Sequence, residues 1–93
     1  MLDNESLIVL LRQDLQRTAE LPGESAYLSQ LLQAAKASLE RQGVYEEDSA
    51  DWVQAVVSTA AWLYRKRING ETEPQFLRRM RLDLIVSQQA RRG

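Results

Sequence analysis

Thirteen consecutive residues, Trp52 to Tyr64, carry no charge, and only Gln54, Ser58 and Thr59 among them are polar. Read at about 3.6 residues per turn, this stretch and its continuation give two apolar rows. One is Trp52, Val56, Ala60 (or Thr59) and Leu63; the other is Val53, Val57, Ala61 (or Ala60), Tyr64 and Ile68. A helix that is apolar nearly all round has to be buried, either at the centre of a domain or between neighbouring subunits. In a chain of 93 residues it is expected to be the central helix, with Trp52, Val56, Ala60, Leu63 and Tyr64 as core anchors. The boundaries agree. Asp48 or Ser49 can cap the first turn, and Asp51 lies where the helix dipole favours negative charge. Arg65-Lys66-Arg67 and then Asn69-Gly70 supply C-terminal cations and a stop.

Three further segments read as helices. Between Glu5 and Thr18, Leu7, Leu11 and Leu15 recur every fourth residue with Ile8 alongside, while Arg12, Gln13, Gln16 and Arg17 take the other side. Asp3 or Asn4 can cap this segment, and Pro22-Gly23 ends it. Between Ser25 and Gln42, Leu28, Leu31, Leu32, Ala35 and Leu39 share one face, and Gly43 stands where a left-handed residue closes a helix. The run Ala34-Ala35-Lys36-Ala37 has high helix propensity, and Ala34 and Ala37 leave room for a close neighbour.

The last helix follows Thr72-Glu73-Pro74-Gln75, where Pro74 suits a first turn and Thr72 with Gln75 has the spacing of a capping box. Its apolar stripe is Phe76, Leu77, Met80, Leu84 and Ile85, with Arg78, Arg79, Arg81 and Asp83 facing away and Arg91-Arg92-Gly93 as a frayed tail. Short connections favour antiparallel neighbours. The expected fold is therefore all-α: a single domain over residues 1–93, a compact bundle of four helices, with an N-terminal helix within 1–20 and a helical core over 25–90.

A domain this small buries roughly 60–65% of the surface its unfolded chain exposes, and such domains often gain stability from disulfides, metals or self-assembly. The chain has no cysteine and no histidine, which leaves self-assembly as the open route. The strongest apolar run, Leu7–Leu11, is far short of the roughly twenty residues that span a bilayer. The start Met-Leu-Asp-Asn-Glu lacks a basic leader, so a cytosolic origin and no membrane association are expected. The net charge of −1 hides an asymmetry. Residues 1–61 hold four Lys/Arg against ten Asp/Glu, a balance of −6, whereas residues 62–93 hold eight against three, a balance of +5. Such a division suits copies that meet head to side, or a surface facing nucleic acid, although Arg also collects at helix ends for solubility.

Catalytic groups are scarce. Glu46, Glu47, Asp48 and Asp51 form the densest acidic group but lack the alternating ligand order and glycine of a calcium loop. Ser29, Ser38, Ser58 and Ser87 lie inside helices with no histidine to activate them, and the four glycines are scattered rather than gathered into a phosphate loop. The expectation is a binding protein, not an enzyme, without metal or cofactor. Arg78, Arg79 and Arg81, with Arg65, Lys66 and Arg67, could meet phosphates. The one candidate turn for a helix-turn-helix is Gly70–Glu73, and the helix after it offers only Thr72, Glu73 and Gln75 before Arg78, which is thin for reading bases. Trp52, Trp62 and Tyr64 on one helix serve equally as core or as interface anchors.

Three stretches carry a likeness to a known family: Tyr27–Leu39, with paired aliphatics before an Ala-Ala step; Asp51–Arg65, a long apolar helix finishing in aromatics and a basic turn; and Glu73-Pro74-Gln75-Phe76-Leu77, with its helix-opening proline. Over about residues 25–86 the chain resembles the head–tail connector proteins of tailed phages and prophages, also called adaptor or DNA-packaging proteins. It departs from them in its well-patterned N-terminal helix, Leu7 to Arg17, and in lacking a C-terminal Tyr-Arg ending.

The resemblance implies a structural virion protein at the head–tail junction, assembled in the bacterial cytoplasm. It would be a homo-oligomeric ring of about twelve or thirteen copies between the portal protein and head-completion or tail proteins, with non-specific DNA contact possible. Subunits would meet through exposed parts of the second and fourth helices. Arg65, Arg67, Arg78, Arg79 and Arg81 would then touch a neighbour or face DNA. The alternative from another class is a small dimeric helical regulator, DNA-binding or antitoxin-like.

Overall fold

In the computed structural model, residues 4–17 and 25–92 are described. They form four helices, α1 (Asn4–Arg17), α2 (Ser25–Arg41), α3 (Ala50–Asn69) and α4 (Gln75–Arg92), and no strand among the described residues. Asp3, Thr18, the Pro22-Gly23 stop and Gly93 lie outside them.

The first two helices bury the rows that their periods mark. Leu7, Leu11 and Leu15 of α1 are wholly buried, and so are Leu28, Leu32 and Ala35 of α2, with Leu31 and Leu39 nearly so. α3 packs against α1, α2 and α4, and α1 also packs on α2. One apolar cluster results, drawn from α1, α2, α3 and Leu84 of α4. The radius of gyration, 12.9 Å, is close to the roughly 12 Å of a compact chain of this length.

The apolar character expected along all of α3 is confined to its middle. Trp52 and every residue from Ala55 to Ala61 are buried, and Tyr64 is too, but Leu63 is only half-buried and Ile68 is 57% exposed. Ser58 inside that middle is met locally, because Gln54 Nε2 donates to its Oγ at 2.7 Å. Tyr64 meets Tyr27 of α2 with ring centroids 6.1 Å apart in a tilted arrangement, and Lys36 lies 5.7 Å from the Trp52 ring.

The helix ends follow local chemistry. Ser49, rather than Asp48, caps α3: its backbone is extended and its Oγ accepts from the Trp52 amide at 3.1 Å. Gly70 closes α3 in the left-handed region (φ 68°) and donates its N–H to the Lys66 carbonyl at 2.8 Å. Gly43 (φ 93°) does the same service after α2, where Val44 N–H returns to the Leu39 carbonyl at 2.9 Å. The capping box expected at Thr72 is not formed. Thr72 is exposed and makes no hydrogen bond among the described residues; α4 instead starts directly after Pro74, whose carbonyl accepts from Leu77 N–H.

Candidate interaction surface

α4 lies at the edge of the bundle, with α3 as its main support. At about 100° per residue, Leu77, Leu84 and Gln88 form one row, and all three are buried. Val86 lies opposite that row, with Leu82 and Arg79 on either side of it. Phe76, Leu82 and Val86 are 55%, 52% and 66% exposed. Phe76 was expected in the core stripe. It is the second residue of α4 and lies about 100° from Leu77, so the helix turns it to solvent while Leu77 takes the buried position. The sequence Phe76, Arg79, Leu82, Val86 advances by three, three and four residues, which makes a continuous strip about 15 Å long. Isolated exposed apolar residues need no explanation, but a contiguous strip of them marks a contact surface.

The five arginines singled out from sequence have different surroundings. Arg65 Nε pairs with Glu71 Oε2 at 2.9 Å, with its side chain only 14% exposed. Together with Trp62 Nε1, which donates to the Glu71 carbonyl at 3.1 Å, it fastens the turn between α3 and α4. Arg81 pairs with Glu73 at 3.0 Å and is similarly sheltered. Arg67 stacks 5.5 Å from the Tyr27 ring. These three hold the domain's own elements together. Arg78 and Arg79 are exposed and have no ion-pair partner among the described residues, and Asp83, a turn beyond Arg79, makes no pair with it.

A second feature was invisible in the sequence. Gln88 is buried, and its side-chain amide bonds both backbone groups of one loop residue: Tyr45 N–H donates to Oε1 at 2.9 Å, and Nε2 donates to the Tyr45 carbonyl at 2.7 Å. Nε2 also donates to Glu47 Oε1 at 2.9 Å, and Arg91 donates to the same carboxylate. The C-terminal half of α4 is thereby clasped to the loop that follows α2. Arg91, expected in a frayed tail, is part of the clasp because Glu47 gives it a partner. The acidic loop is in this respect structural.

The Glu47 carboxyl is held below its ordinary pKa. The hydrogen bond from the Ser49 hydroxyl is the main cause; burial opposes it, and Gln88 and Arg91 lower it further. Since the folded-state pKa is depressed, Glu47 adds stability that is complete above the unfolded value near pH ~4.3 and is lost as the pH falls through the folded one. Glu47→Gln should therefore flatten the loss of stability as the pH falls below the ordinary carboxylate range, as read by urea unfolding at each pH. An unchanged acid limb would rule Glu47 out as a contributor.

Among the described residues no helix is long and apolar enough to cross a membrane. Compared with models of known protein families, with curated proteins and with solved structures, the chain matches none.

Proposed function

We propose that this chain is a structural subunit of a phage or prophage head–tail connector ring, lying between the portal and the tail and assembling through repeated contacts with its own kind. The observation that carries the reading is the α4 strip: three large apolar side chains and Arg79 turned to solvent on an edge helix, with exposed Arg78 beside them and neither arginine ion-paired among the described residues. A surface of this composition suits a protein partner better than bare phosphate. The likeness of residues 27–39, 51–65 and 73–77 to connector proteins supports the same conclusion. Heterologous contacts close into rings when the rotation between copies allows it.

The test is mass in solution by light scattering across protein and salt concentration, with and without a portal assembly. A closed species of about a dozen copies, or retention of the chain on the portal, supports the connector role. A stable dimer that binds one duplex site with steep salt dependence would assign the chain to the regulator class instead.

A further inference from the structure

We infer that the outer strip of α4 on one copy seats on a groove at the C-terminal end of α2 on a second copy; this deepens the ring reading and rests on it. The groove holds about 340 Å³ and is lined by Ala37, Glu40, Arg41 and Tyr45. Ala37 and Glu40 are exposed, and Tyr45 is 42% exposed. The floor of the groove suits Leu82 and Val86, because Ala37 has too little side chain to keep a helix at a distance, while Tyr45 offers a broad apolar face.

Charge selects the pairing. Residues 40–51 hold five acids (Glu40, Glu46, Glu47, Asp48 and Asp51) against the single base Arg41, a balance of −4. Glu47 is engaged by Arg91, but Glu40 and Glu46 are exposed and have no ion-pair partner among the described residues. The carbonyl end of α2 adds partial negative charge at the same place. The strip brings Arg78 and Arg79, which likewise lack internal partners. Arg41 is the one like charge in the groove, and Asp83, between Phe76 and Arg79 on the outer face of α4, brings the strip one opposite charge. Nucleic acid is the poorer occupant, since two cations interleaved with Phe76, Leu82 and Val86 would leave those apolar groups against phosphate. Strip and groove are different surfaces, so each copy presents one of each, and the contact propagates head to side.

The absence of cysteine makes the contact directly testable. Val86→Cys and Ala37→Cys in one chain, treated with a short bismaleimide, should give a ladder of covalent multimers on a denaturing gel, while each single variant gives no covalent multimer. Arg79→Glu and Glu40→Arg should each cut ladder yield about tenfold with the helical spectrum unchanged, and combining them should restore it. Dimers from Val86→Cys alone would show α4 meeting α4 and overturn the assignment. So would an absent ladder, or charge reversals that leave the ladder intact and abolish duplex-DNA binding instead. A ladder in a protein that ignores the portal would keep this interface and sink the connector role, whereas portal binding without the ladder would do the reverse.

Discussion

Leu11→Ala is expected to lower the unfolding free energy by about 3–4 kcal/mol, the range seen when a leucine is truncated in a packed core. Leu11 is wholly buried, between Leu7 and Leu15 on the one face by which α1 meets α2 and α3. Ile8 and Leu10 pack partly buried against the same core. Asn4, Glu5, Val9 and Gln13 are exposed, and the Asn4 side-chain amide donates to Ser29 Oγ at 3.0 Å on the surface. A domain of 93 residues has about 5–14 kcal/mol in total, so the change removes a large fraction of it. The melting temperature should fall by roughly 12–25 °C. Urea unfolding followed by circular dichroism checks this, and a shifted midpoint at constant slope would mark a pure stability loss. Val9→Ala, at a site 50% exposed on the same helix, serves as the control and should stay within about 0.5 kcal/mol of the parent. Equal effects from the two would mean that α1 does not dock through its leucine row.

The second large effect belongs to the clasp. Gln88→Leu keeps the side chain's approximate size but withdraws one acceptor and the donors that serve Tyr45 and Glu47. Leaving a partly buried backbone pair without its partners should cost about 2–3 kcal/mol. The loss is local in origin, so hydrogen exchange discriminates it from general loosening: the Tyr45 amide should lose protection well beyond the amides in the middle of α3. If Tyr45 stays as protected as in the parent, the clasp does not exist in solution and the end of α4 is held by Leu84 and Ile85 alone. Gln88→Glu should be no milder, because a carboxylate cannot donate to the Tyr45 carbonyl and would sit beside Glu47.

Some misreadings of α4 have a common cause. Its charged residues are spread around the wheel, so the apolar positions could be drawn as one wide stripe, and Phe76 was assigned to the core with Leu77. Leu82 and Val86, four apart, were the available sign of a second apolar row on the opposite side. Gln88 gave no sign at all. A glutamine one turn beyond Leu84 looks like any surface residue, and only the return of the loop after Gly43 to the end of α4 supplies its partners.

The sequence by itself determined four helices, their order, the buried rows of α1 and α2, and the glycine and serine punctuation at their ends. All of these depend on residues a few positions apart, where the 3.6-residue repeat and the capping groups act directly. The tertiary structure alone decided which face of α4 is left open, which arginines are engaged internally, and that the acidic loop holds the end of α4. The last of these depends on residues more than forty positions apart coming within hydrogen-bonding distance, as Tyr45 and Gln88 do. No local pattern encodes such a meeting, because it exists only after helix packing has brought the two elements together.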